Sequence, residues 1–63
     1  MRAEKALRYL AEEFEAALRE VEDRVAAEGE KPQKDLLLIA ELHGRAAAYR
    51  RCLKAVEDAI YEI

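Results

Sequence analysis

The sequence predicts an all-α protein: an antiparallel two-helix hairpin that self-associates into a four-helix bundle. Three observations lead to this fold. Apolar residues recur at spacings of three and four in two long stretches, and one short segment with Gly29 and Pro32 separates them. Ala, Glu, Lys, Leu and Arg make up 43 of the 63 residues, a composition typical of long helices. The whole chain, residues 1–63, is predicted to be a single helical-hairpin domain.

The first helix is predicted over about residues 2–28. Its apolar residues fall on one face of an α-helix because they recur every three or four positions. Ala3, Ala11 and Ala17 widen this face. The stripe consists of Leu7, Leu10, Phe14, Leu18, Val21 and Val25.

The turn is predicted at residues 29–32. Gly29 is expected to follow the first helix in the left-handed conformation that closes many helices. Pro32 suits the first turn of the next helix, and Asp35 lies in or just before that turn, where its charge meets the helix dipole favourably. A connection of about four to six residues makes the two helices antiparallel neighbours.

The second helix is predicted over about residues 33–62 and has the stricter repeat. A 3.5-residue repeat of this length predicts a left-handed supercoil with a partner helix. The repeat consists of Ile39, Leu42, Ala46, Tyr49, Leu53, Val56, Ile60 and Ile63.

Charge placement also favours the antiparallel arrangement. If the chain reverses near Lys31–Pro32, an acid-free stretch of the second helix lies beside Glu12, Glu13 and Glu15. The bases of that stretch are Arg45, Arg50, Arg51 and Lys54.

Self-association is predicted because a chain of this length rarely buries enough surface by itself. Leu36, Leu37 and Leu38 continue the apolar surface around the whole first turn of the second helix, more than one partner helix covers. A homodimer is the simplest closed solution, with a trimer or larger ring as the alternative. The predicted interface residues are Leu36, Leu38, Ile39, Leu42, Ala46, Leu53, Val56 and Ile60.

Small residues form a strip beside this repeat, at Ala40, Gly44, Ala47, Ala48 and Ala55. Glycine inside a helix costs about 1 kcal/mol relative to alanine, so Gly44 suggests close approach of another backbone. The alternative is that alanine fills these surface positions as a good helix former.

Catalysis and metal binding are not expected. The chain contains no Ser or Thr, and its single His and single Cys lie nine residues apart on different helix faces. Cys52 is expected to be a small residue at the edge of the core. No cofactor is predicted.

A cytoplasmic location is expected. Met1–Lys5 leads into a charged helix and not into an apolar signal segment. The longest apolar run, Leu36–Ala40, is far shorter than the roughly 20 residues of a membrane span. A lone cysteine also fits a reducing compartment.

An anion-binding face is the alternative functional hypothesis. His43, Arg45, Arg50 and Arg51 lie close together in the second helix and could contact RNA or a nucleotide. The opposing interpretation pairs His43 and Arg50 with Glu13 or Glu20 of the first helix. The net charge of −3 argues against general attraction to nucleic acid or anionic membranes.

The second helix resembles that of the Rop-type plasmid copy-number regulators, in the stretches Leu42-His43-Gly44-Arg45-Ala46 and Tyr49-Arg50-Arg51-Cys52-Leu53. The resemblance covers about a dozen residues and implies a hairpin that dimerises into a four-helix bundle. Phe14 stands mid-helix, as does the Phe with which Rop-type proteins bind paired RNA loops. The neighbours of Phe14 one turn away in this chain are Leu10 and Leu18, so we predict that Phe14 lies in the core instead.

These observations predict a non-enzymatic, self-associating hairpin that serves as a small binding, regulatory or assembly module, with a protein partner possible. RNA or nucleotide binding by the second helix is one alternative. A designed or purely structural bundle without a ligand is another.

Overall fold

Two α-helices make up the hairpin. The computed structural model describes residues 2–62, so the predicted repeat position Ile63 and the start of the chain at Met1 lie outside the described residues. Helix α1 spans Arg2–Gly29 and helix α2 spans Leu36–Glu62, and within residues 2–62 there is no strand. The helices pack against each other along their length, which confirms the predicted all-helical hairpin.

The connection covers residues 30–35, and α2 begins three residues later than predicted. Asp35 determines this start because its side-chain Oδ1 accepts a hydrogen bond from the Leu38 backbone N–H at 3.1 Å. Its own carbonyl accepts the first intrahelical bond, from the Ile39 N–H at 3.0 Å. This is the geometry of a helix N-cap. Pro32 therefore lies in the connection and not in the first turn of α2.

Gly29 is the last residue of α1 and does not adopt a positive φ, so the predicted left-handed closure is wrong. The helix ends in tightened turns instead. The Glu30 N–H donates to the Ala27 carbonyl at 3.3 Å, and the Lys31 N–H donates to the Glu28 carbonyl at 3.4 Å. These three-residue turns satisfy the last carbonyls without a left-handed residue.

The fully buried core is small. Only Val21, Leu42 and Ala46 are buried among residues 2–62, and Leu42 is 0% exposed. Four half-buried side chains pack around them: Leu18, Val25, Leu38 and Tyr49.

Two regular rows of buried or half-buried residues form the seam between the helices. The α1 row contains Phe14, whose ring lies 6.3 Å from that of Tyr49 in the α2 row, so the prediction that both rings face the core is confirmed. In α1 the core row is Glu4, Leu7, Ala11, Phe14, Leu18, Val21 and Val25, and in α2 it is Ile39, Leu42, Ala46, Tyr49, Leu53, Val56 and Ile60.

The ion pair between the helices differs from the predicted ones. Arg50 pairs with Glu22 across the two helices at 3.0 Å, and not with Glu12, Glu13, Glu15 or Glu20. The six-residue connection moves the reversal point beyond Pro32, so α2 residues face later positions of α1 than expected.

The other basic residues of α2 that form ion pairs do so within their own helix. Arg45 pairs with Glu41, and Lys54 pairs with Asp58 at 3.4 Å. These pairs are exposed, and each contributes little to stability, about 0–1 kcal/mol.

The hairpin is a thin rod of about 50 × 14 × 11 Å. Its radius of gyration is 14.6 Å, whereas a compact domain of this length has about 11 Å. Its accessible surface is 5121 Å², about 1,000 Å² more than the roughly 4,100 Å² expected of a compact 7.2 kDa monomer. Folding covers only about half of the unfolded chain's surface, compared with about 60% for a compact domain of this size.

Candidate functional site

Large apolar side chains remain exposed on the hairpin. Leu37 is 85% exposed and Leu36 is 73% exposed, both in the first turn of α2, and Leu10 of α1 is 43% exposed. Tyr9 and Tyr61 are also exposed, at 62% and 94%. Fully burying a leucine side chain is worth about 1.5–3 kcal/mol, so these positions favour contact with a further surface.

The two sides of the hairpin can be distinguished by counting from the core rows. An α-helix turns about 100° per residue, so the residue just before a core residue lies on one side of the seam and the residue just after it lies on the other. Because the helices are antiparallel, the preceding residues of both helices share one side of the hairpin. The following residues share the opposite side.

The side formed by the following residues is charged. We call it the Arg50 face, and it includes Arg8, Glu15 and Glu22 of α1 and His43, Ala47, Arg50, Lys54, Glu57 and Tyr61 of α2. Two shallow depressions lie between the helices here. One, of about 270 Å³, contains the Glu22–Arg50 ion pair and His43, and the other, of about 530 Å³, brings Arg8 near Glu57.

The side formed by the preceding residues is mostly uncharged over half its length. We call it the Cys52 face. Its α1 row is Ala3, Ala6, Leu10, Glu13, Ala17, Glu20 and Arg24, and its α2 row is Leu38, Glu41, Arg45, Ala48, Cys52, Ala55 and Ala59. Cys52 is exposed, so the prediction that it lies at the core edge is wrong.

The eight predicted interface residues divide into three groups. Leu42 and Ala46 are already covered by α1, so they belong to the core of a single hairpin and offer little surface to another chain. Leu36 is exposed and shares a helix position with His43 and Arg50, seven and fourteen residues later, on the Arg50 face. The half-buried group is Leu38, Ile39, Leu53, Val56 and Ile60.

The predicted anion-binding residues are exposed but spread around α2. His43 and Arg50 lie on the Arg50 face, Arg45 lies on the Cys52 face, and Arg51 points outward between them. Arg45 and Arg50 each contact a carboxylate. The four side chains therefore do not converge on one point.

Gly44 is not closely approached in the hairpin. A Cβ added at Gly44 would meet nothing within 4 Å, so α1 gives no reason for a glycine at this position. Gly44 stands two residues from both Leu42 and Ala46 and lies on the outer surface of α2.

Metal binding and membrane crossing receive no support within residues 2–62. No three His, Cys, Asp or Glu side chains are grouped as a metal site would require. Neither helix has a stretch long and apolar enough to cross a membrane.

Comparisons with known proteins place the chain in no family. No protein-family model matches it, and no curated protein and no solved structure gives a significant match.

The Cys52 face was missed in part by sequence reasoning. The small-residue strip included Ala48 and Ala55 but omitted Cys52, Ala59 and the matching alanines of α1. The signal was present in the sequence, because each of these residues directly precedes a position of the apolar repeat or of the α1 core row. The α1 row was obscured by Glu4 and Ala11, which are core-row positions without a large apolar side chain.

Proposed function

We propose that this chain acts as a non-enzymatic, self-associating helical hairpin, a small binding or assembly module whose working unit is a homodimeric four-helix bundle. The observation that supports this proposal is the surface of 5121 Å², about 1,000 Å² above that of a compact monomer. A standard protein interface covers about 800 Å² on each partner. A second hairpin docked through an interface of this size would therefore cover most of the excess.

The small core supports the same proposal. Three fully buried side chains are few for residues 2–62, and chains of this length usually need a disulfide, a metal or oligomerisation to be stable. Cys52 is the only cysteine, so a disulfide within the chain is impossible. A second copy provides the missing burial without any further component.

RNA or nucleotide binding by α2 has no comparable support. The basic side chains on which it depends point in different directions, and two of them contact acids of the same chain. Such binding stays a prediction from the sequence.

Thermal unfolding at different protein concentrations tests the proposal. If folding and dimerisation are coupled, a hundredfold increase in concentration stabilises the folded state by about 2.7 kcal/mol. The midpoint, followed by circular dichroism, should then rise on the order of 10 °C. A midpoint that is independent of concentration over this range would contradict the proposal.

A further inference from the structure

We infer that the second copy docks on the Cys52 face, with the connections of both hairpins at the same end of the bundle and each α1 against the partner's α2. This inference rests on the proposed self-association and specifies its surface and orientation. It leaves the Arg50 face in water, with its charged side chains and with Leu36, one of the predicted interface residues.

The first support is the unequal character of the two sides. On the Cys52 face, α2 offers four consecutive uncharged positions, Ala48, Cys52, Ala55 and Ala59. The corresponding positions on the Arg50 face include Arg50, Lys54 and Glu57. Small side chains let a neighbouring helix approach closely, and no long charged side chain has to be removed from water there.

The second support is the division of the Cys52 face into two halves. Two depressions between the helices fix their relative levels. Val25 shares one with His43, and Ala11 shares the other with Glu57. The half near the chain ends is therefore apolar on both helices except at Glu13. Ala6 and Leu10 lie near the level of Ala59, and Glu13 lies between the levels of Cys52 and Ala55. The half near the connection is charged on both helices, with Glu20 and Arg24 level with Glu41 and Arg45.

Two orientations are compatible with a closed two-fold dimer through this face. Rotation about the long axis keeps both connections at one end and lays α1 over the partner's α2. Rotation about an axis across the rod puts the connections at opposite ends and lays each helix over its own copy.

The charges distinguish these orientations. With the connections together, apolar half meets apolar half, and Glu20 comes near the partner's Arg45 while Arg24 comes near the partner's Glu41. Each contact between one α1 and the partner's α2 then contains two acids and two bases. With the connections apart and full overlap, Glu20 and Arg24 would lie over the partner's Ala6 and Leu10, which removes charges from water without providing opposite charges.

Glu13 is the one charged residue in the apolar half of the face. In the orientation with the connections apart, shifted so that only the apolar halves overlap, Glu13 would lie over the partner's Ala6, and only about half of each face would be covered. With the connections together it stands level with the partner's Cys52 and Ala55. From there its side chain can reach solvent at the edge.

Distances between spin labels test the orientation. Gln33→Cys labels the exposed connection and Tyr61→Cys labels the opposite end, each in a Cys52→Ala background that keeps a small residue on the face. The inference predicts label separations well under half of the 50 Å rod length for both variants. Circular dichroism confirms that each variant remains helical.

The outcomes separate this inference from the proposed function. A dimeric mass with either separation longer than half of the rod length would overturn the orientation and leave self-association standing. A dimer with short separations whose dissociation constant is unchanged by Ala48→Glu, a change on the Cys52 face, would overturn the choice of face. A monomeric mass in the labelled samples and in the unlabelled chain would overturn both.

Discussion

At the scale of single residues, Asp35 has a clear structural role in the hairpin, whereas Gly44 has none. Asp35 fixes the start of α2 through a 3.1 Å hydrogen bond to the Leu38 N–H, overriding the helix start that Pro32 suggested. Gly44 has no such role in the hairpin, because its missing side chain faces open space. A glycine there only weakens α2.

Gly44→Ala should therefore stabilise the protein by about 1 kcal/mol, the difference in helix propensity between the two residues. Urea unfolding followed by circular dichroism measures the change. Ala16→Gly, at an exposed position of α1, is the reciprocal control and should lose a similar amount. Destabilisation by Gly44→Ala would mean that another helix approaches the outer surface of α2, which the proposed docking on the Cys52 face does not require.

At the scale of the helices, α2 carries two parallel rows with different roles. Its core row packs on α1 through Leu42 and Ala46, while the row one residue earlier exposes small residues about 100° away. In a four-helix bundle each helix has two neighbours, so it needs an apolar arc wider than one seam. The row one residue before the core row widens the apolar arc of α2 toward the Cys52 face.

Ala48→Glu should weaken dimerisation at least about tenfold, equal to about 1.4 kcal/mol, because it places a charge on the Cys52 face. Ala47→Glu is the control on the Arg50 face. Because Ala47 is half-buried whereas Ala48 is exposed, circular dichroism must show that both variants remain equally helical. Both new carboxylates have arginines three or four residues away, so their effects within α2 are similar and favourable. Dissociation constants from dilution experiments compare the two variants, and equal weakening would refute the choice of face.

Much of this element-level structure could be predicted from the sequence. The repeat from Ile39 to Ile60 identified the core row of α2, and the exposure of Leu36 and Leu37 was expected from their number around one turn. The ion pair between the helices could not be predicted, since several acids lie within reach of each long arginine side chain and each exposed pair contributes little. The pairing of Arg50 with Glu22 can therefore be predicted only once the length of the connection is known.

Cys52 shows a second limit of the sequence. Its position beside Leu53 is compatible with the edge of the core or with an exposed face, and only the packing of α1 decides between them. The structure places it on the exposed side. The candidate docking face thus became recognisable once the α1 core row was known to include Glu4 and Ala11.

At the scale of the whole molecule, the hairpin is a rod with much surface for its mass. A radius of gyration of 14.6 Å is what two long helices side by side require, because neither helix folds back to cover the other side. Two such rods placed together would cover one side of each and approach the proportions of an ordinary small domain. Self-association is thus the central claim about this molecule.

Sedimentation equilibrium tests that claim most directly, because it measures mass in solution without assuming a shape. A homodimer would have twice the 7.2 kDa of one chain at high concentration and would dissociate toward a single chain on dilution. A stably folded, fully helical particle of 7.2 kDa at the highest concentration reached would contradict it.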